Sequence, residues 1–203
     1  IFYTLQGEGA NTGRPAVFCR FSGCNLWSGL EKDRAAAICS FCDTDFIGID
    51  GQNGGKYKTA EELSDKILSL WPNDAKNCFV VFTGGEPLLQ IDSDLIKECK
   101  SKKIILAVET NGTIILPDGI DWVCVSPKAG TKTILVKGNE IKIAYPQEGL
   151  NPVDFDNHDF DYFYIQPIDN GNKMQNTIAA INFCKNNPKW RLSIQTHKIL
   201  NIP

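Results

Sequence analysis

The chain has 203 residues, 42% hydrophobic and 22% charged, enough apolar material to bury one sizeable core in a single domain over 1–203. Its formal net charge of −3 excludes a grip on nucleic acid, which needs a basic footprint. No apolar run is as long as a membrane span, so a soluble protein with no membrane partner is expected.

The chain opens on Ile1 with no charged-then-apolar leader, and a few native residues are expected to precede it. Ile1-Phe2-Tyr3-Thr4-Leu5 reads as a short strand and Gln6-Gly7-Glu8-Gly9 as a loop. Pro15 opens a second strand, Ala16 to Ser22, with Phe18, Arg20 and Ser22 on one face and Val17, Cys19 and Phe21 on the other. Arg20 therefore either escapes to solvent or points into a polar cavity.

Cys24 follows at once, and Cys39 and Cys42 come after a gap of fourteen residues, in a loop spanning about 23–58. Three thiols, two of them spaced C-x-x-C beside Gly, Asn and Asp, read as a ligand loop and not as core cysteines. A structural zinc site wants four ligands in a closed tetrahedron, and no fourth Cys or His is placed to complete one. An iron–sulfur cluster on three cysteines leaves one iron open to a substrate or cofactor. Spacing alone leaves both metals standing. Cys19, Cys78, Cys124 and Cys184 lie in apolar runs and Cys99 in a helical pattern. Core packing suits these five, and a reducing, cytoplasmic setting suits the set.

Thr59-Ala60-Glu61-Glu62 is a capping box opening a helix to about Trp71, with Leu63, Ile67 and Leu70 on one stripe and Pro72 as the stop. Cys78 to Thr83 is a continuous apolar run, as in a strand buried on both faces. A second helix is expected over about Asp92 to Lys102, then strands at Ile104–Thr110, Trp122–Ser126, Ile141–Ala144 and Phe160–Ile165. A third helix is predicted over about Lys173 to Asn187, with Ile178, Ile181 and Phe183 apolar, and a last strand over Trp190 to Gln195. The connections 113–121, 127–140 and 147–159 show no helical stripe. The fold class is therefore α/β: a parallel β-barrel left incomplete on one side, with about three crossover helices.

One regularity bears on function. The buried strands end at their carboxyl sides in Thr83-Gly84-Gly85-Glu86, Glu109-Thr110-Asn111-Gly112, Ser126-Pro127-Lys128, Gln166-Pro167-Ile168-Asp169 and Gln195-Thr196-His197. Ligands of parallel α/β folds sit at that end, and the cysteine loop follows the strand ending at Ser22. Taken singly, Gly84-Gly85 is a turn and Glu109 or Lys128 a solvated charge. Their recurrence at corresponding places is the signal. His158 and His197 have no partner at ligand spacing, although His197 is placed to orient something near the site.

With these residues the sequence resembles the radical S-adenosylmethionine superfamily. It departs from the usual C-x3-C-x2-C spacing in its longer first gap. That gap, with Leu5-Gln6-Gly7-Glu8-Gly9, Arg20 to Trp27, Cys42-Asp43-Thr44 and the strand ends above, is similar to the 7-carboxy-7-deazaguanine synthase family. The resemblance implies that Cys24, Cys39 and Cys42 hold a [4Fe–4S] cluster whose open iron is chelated by S-adenosylmethionine. Gly85 and Glu86 would meet the methionine amino group and Glu109 the ribose hydroxyls. Ser126, Lys128, Gln166 and Asp169 would complete that shell, with Phe41 near adenine. The implied substrate is 6-carboxy-5,6,7,8-tetrahydropterin. Arg20 would pair with its carboxylate, while Leu5, Gln6, Gly7 and Thr83 would shape the pterin pocket, with the Pro203 carboxylate as a further contact. Mg²⁺ would sit on the Thr44 hydroxyl, with Asp43 acting through water. The implied reaction is hydrogen abstraction at C6, ring contraction and loss of ammonia, on the way to 7-deazapurines such as queuosine.

The resemblance also implies a homodimer and an electron donor such as flavodoxin. Two rivals remain at this level: a glycyl-radical activase and a zinc-stabilised module without catalysis. Leu26, Trp27 and Ile38 in the long gap are expected to pack on the barrel mouth or on a redox partner.

Overall fold

Side chains alternate along a strand, and that alternation sorts this chain into two layers. The computed structural model describes residues 1–72 and 76–203. On β3 (Phe79–Gly84) Val80 and Phe82 join one apolar cluster, and Phe79 and Val81 join another on the opposite face. The first cluster is the large one. It takes Val17 and Cys19 from β2 (Pro15–Phe21), Leu106 and Val108 from β4 (Ile105–Thr110), and Val123 and Val125 from β5 (Trp122–Val125). Ile141 and Ile143 of β6 (Lys137–Tyr145) and Phe163 and Ile165 of β7 (Asp159–Pro167) complete the sheet side.

Three helices cover that face. Leu63 and Ile67 of α1 (Ala60–Leu70), Leu95, Ile96 and Cys99 of α2 (Ser93–Ser101), and Ala180 of α3 (Lys173–Asn186) lie in the cluster. Burying an aliphatic side chain of this size is worth about 1.5–3 kcal/mol, which makes this layer the main source of stability. The helix starts are chemically marked. Thr59 accepts the Glu62 N–H at 3.1 Å, and Glu62 reaches back to the Lys58 N–H at 2.7 Å. Asp92 accepts the Asp94 and Leu95 N–H groups.

Among the described residues eight strands form one sheet in sequence order, from β1 (Phe2–Leu5) at one edge to β8 (Arg191–Leu192) at the other. β1 runs antiparallel to β2, and every later pairing is parallel. With two edges the sheet stays open, the incomplete barrel expected from the sequence. Helices bridge β2 to β3, β3 to β4 and β7 to β8, while β4, β5, β6 and β7 are joined by loops with one 3₁₀ turn at Pro152–Phe155. No helix is long and apolar enough to cross a membrane among the described residues.

Three expectations change. The last strand, predicted over Trp190 to Gln195, is only Arg191–Leu192, and a short helix α4 (Thr196–Leu200) follows. The chain leaves the sheet because the Thr196 N–H bonds the Gly7 carbonyl at 2.9 Å. On α3, Ile178 and Ile181 face solvent, while the inward positions are Asn176 and Ala180, because Asn176 is needed to bond the Ile168 carbonyl at 2.8 Å. Cys124 is buried but is more than packing: it shares the concave face with charged residues and lines a cavity.

Candidate active site

The second layer, on the concave face, turns from apolar to polar along the strands. Ala16, Phe79, Val81 and Ala107 form its lower part. Above them the register pairs Arg20 with Thr83, Glu109 with Cys124, Cys124 with Glu140, and Ala144 with Gln166. A cavity of about 280 Å³ opens there, at the carboxyl ends of the parallel strands. Its wall includes Leu5, Gln6 and Gly7, Arg20, the three cysteines, Phe41, Thr44 and Thr83. Gly85, Glu109, Ser126, Lys128, Gln166, Asp169 and Pro203 complete the sequence-predicted residues found on it. Glu86 is the exception.

Cys24, Cys39 and Cys42 are free thiols. The Leu26 N–H lies 3.4 Å from the Cys24 sulfur. A hydrogen bond from Cys39 pulls the Cys42 thiol down to about 6, and the same bond, with burial, pushes Cys39 far up. Burial also raises Cys24, so Cys42 is the most readily ionised thiol of the three. Among the described residues no three His, Cys, Asp or Glu side chains converge on the dimensions of a single-ion site. The three thiols line one cavity, and a set of three soft thiolate donors without a fourth fits a cluster whose irons each take one of them. His197 lines the cavity too, with its ring against Gly7.

The long gap holds this loop in place. Leu26 and Trp27 are buried, as expected, and Trp27 meets Phe46 edge-on, whereas Ile38 stays exposed. Arg34, on the 3₁₀ turn Glu31–Ala36, lies over the Trp27 ring at 4.1 Å. Its guanidinium donates to the Ser40 and Cys42 carbonyls at 2.8 and 3.0 Å. Arg34 passed unnoticed in the sequence because an arginine among exposed charges carries no pattern of its own.

Glu86 is a correction. It is fully buried, and its carboxylate accepts the Leu88 N–H at 3.0 Å, the Thr110 hydroxyl at 2.8 Å and the Asn111 N–H at 2.8 Å. Its side chain is spent on the turn after β3 and the end of β4, so it does not reach the cavity. Burial raises its pKa against those three donors. The same turn is pinned to the cysteine loop by the Gly85 N–H to the Phe21 carbonyl (3.1 Å) and the Glu86 N–H to the Gly23 carbonyl (2.9 Å).

A buried charge network at the cavity floor was missed. Lys142 has only 6% of its side chain exposed, and it meets Glu8 at 2.6 Å and Glu109 at 3.6 Å. Glu109 also accepts from Gln6 Nε2 at 2.8 Å. Burial would raise Glu8, but the Lys142 ammonium and hydrogen bonds from Lys142 and Gln195 outweigh it and hold its carboxyl at about 2. Glu140 accepts the Ala10 N–H at 2.9 Å and the Cys124 thiol at 3.5 Å, and burial pushes its pKa up. The signal was present: Glu140 and Lys142 alternate with Ile141 and Ile143, the pattern of a strand with one polar buried face.

Other side chains are set by local bonds. Lys128 donates to the Ser126 carbonyl and hydroxyl at 2.6 and 2.7 Å, and burial lowers its pKa. Gln166 accepts the Ser193 hydroxyl through Oε1 at 2.9 Å, which leaves its amide N–H groups for other acceptors. Arg20 is exposed at the cavity rim with its guanidinium 5.5 Å from the Phe2 ring centre.

Comparison with known proteins agrees with this geometry. The Radical SAM superfamily matches residues 34–145, a span that takes in Cys39 and Cys42 and begins after Cys24. The 7-carboxy-7-deazaguanine synthase of Burkholderia multivorans is 56% identical over 203 residues, covering 100% of this chain and 97% of its own. That of Caulobacter vibrioides is 52% identical with the same coverage. The crystal structure of QueE from Escherichia coli superposes with a TM-score of 0.66 at 26% identity, over 96% of this chain and 91% of that one. The chain belongs to the 7-carboxy-7-deazaguanine synthase family within the radical SAM superfamily.

Proposed function

We propose that the protein is a radical S-adenosylmethionine enzyme that converts 6-carboxy-5,6,7,8-tetrahydropterin into 7-carboxy-7-deazaguanine, with loss of ammonia. The observation that carries this is the cavity at the strand ends, whose wall brings together three free thiols and Arg20, Gln6 and Thr83. Cys24, Cys39 and Cys42 would hold a [4Fe–4S] cluster. When bound, the cluster and S-adenosylmethionine supply one-electron cleavage of the sulfonium and, through it, hydrogen abstraction from carbon.

The chain's own part is binding, orientation and charge. Glu109, fixed by Gln6 and Lys142, accepts hydrogen bonds from ribose hydroxyls, and Ser126, Lys128, Gln166 and Asp169 line the rest of the cofactor's polar edge. Gly85, on the cavity wall, and not the fully buried Glu86, is what the methionine amino group can meet. Arg20 pairs with the substrate carboxylate through its planar fork. Leu5, Gln6, Gly7 and Pro203 shape the pterin side. Thr44 offers a hydroxyl to Mg²⁺, a hard cation suited to oxygen, with Asp43 beside it. A flavodoxin-type electron donor, a homodimer and a cytoplasmic setting complete the reading.

Anaerobic reconstitution followed by turnover of the pterin with S-adenosylmethionine, a reductant and Mg²⁺ tests it. A deazapurine product is expected; none under these conditions overturns the assignment in favour of a radical enzyme acting on another substrate. Stoichiometric zinc without acid-labile sulfide would instead favour a structural module. Arg20→Ala should lower kcat/KM for the pterin by about 10- to 150-fold, the worth of a hydrogen bond to a charged group. Cofactor cleavage should survive in part, and unchanged turnover would remove Arg20 from the site.

A further inference from the structure

The segment after β8 takes no part in the assignment above beyond Pro203, yet it ties together three parts of the cavity wall. Thr196 gives both its N–H and its hydroxyl to the Gly7 carbonyl at 2.9 Å. Gln195 Nε2 donates to Glu8 Oε1 at 2.9 Å and to Asp43 Oδ2 at 3.1 Å. Lys198 Nζ donates to Asp43 Oδ2 and to Asp169 Oδ2, each at 2.7 Å. Asp43 stands between Cys42 and Thr44, and Asp169 ends the stretch 166–169 at the carboxyl end of β7. Lys173 also holds Asp169, at 3.0 Å.

A single exposed ion pair contributes little. Lys198 differs in serving two carboxylates that belong to separate segments, so both carboxylates sit within reach of one ammonium. Remove it and like charges face each other across the cavity rim, turning attraction into repulsion. The two bonds from Thr196 fix the root of α4, so Lys198 delivers its charge from an anchored position. We propose that Lys198 is a positioning residue that registers the cluster loop 39–44 against the cofactor stretch 166–169, so that S-adenosylmethionine binding depends on the C-terminal clamp. This rests on the cofactor reading given above.

The test measures S-adenosylmethionine dissociation constants on the anaerobically reconstituted full chain, without substrate or Mg²⁺. The parent must first show iron, sulfide and cofactor binding; a parent that lacks them refutes the cofactor reading, whatever Lys198 does. Given a competent parent, Lys198→Met is expected to weaken binding about tenfold, while Lys198→Arg stays within about threefold. Adding Asp43→Asn to Lys198→Met removes the repulsion and should recover most of the loss, which a merely structural contact would not do. Binding by Lys198→Met within twofold of the parent overturns the proposal. Should that variant fail to fold, hydrogen exchange on the parent decides. The cofactor must slow amides in both 39–44 and 195–200, and no protection at 195–200 overturns the clamp.

Discussion

Lys142→Met is expected to cost roughly 3–5 kcal/mol of folding stability, the range for breaking a buried charge pair by removing one partner. The methionine fills the volume but leaves Glu8 and Glu109 facing one cavity floor with Glu140 close behind. The pH dependence of the loss separates charge from packing. In the parent, the Glu8 carboxyl is held at about 2 against 4.5 unfolded. Its contribution is therefore complete above 4.5 and is lost as pH falls from there toward 2. In the variant, burial outweighs the remaining Gln195 hydrogen bond and raises Glu8, so the sign reverses and acidification from neutral pH restores stability. Glu86, raised in both proteins, adds the same opposite slope to each and cancels in the difference, whereas Glu140 loses the lowering influence of Lys142 and rises further, adding to the reversed slope. Thermal midpoints of both proteins across pH check this. A gap that stays constant from neutral to acid would show that packing, not charge, was lost.

Gly85→Ala is expected to disable the site with the fold largely intact. A Cβ there would lie 1.9 Å from the Gly23 carbonyl oxygen, 2.5 Å from its carbon and 3.0 Å from Cys24 Cβ. The first two are backbone atoms and cannot swing aside. The collision acts on the two hydrogen bonds that draw the turn after β3 against the end of β2, and it pushes Cys24 away from its partners. A displacement near 1 Å at a reacting centre can cost about 10²-fold. Product formation should fall by at least that factor, with iron and sulfide below the parent's content after anaerobic reconstitution. Gly171→Ala, where an added Cβ meets nothing within 4 Å, is the matched control. Parent-like iron content and activity in Gly85→Ala would refute the packing argument.

The sequence carried the site's membership further than its geometry. Recurrent polar ends on apolar strands named Thr83, Glu109, Ser126, Lys128, Gln166 and Asp169, because side-chain period and strand direction are local properties. Glu86 shows the limit of that logic. Its place in the motif is legible, but three donors from Leu88, Thr110 and Asn111 turn its carboxylate inward, and two of them come from a strand 24 or more residues away. Lys198 shows the converse. Nothing near it in sequence marks it, because the carboxylates it bridges are 29 and 155 residues distant.

Periodicity, caps and cysteine spacing thus decide which elements form, which strand face is apolar and that a three-cysteine loop precedes the first helix. These depend on neighbours within a few residues. The Lys142 network and the departure of the C-terminal segment from the sheet are decided by folding. Each depends on which distant donor reaches a buried acceptor first, and a linear pattern does not encode that outcome.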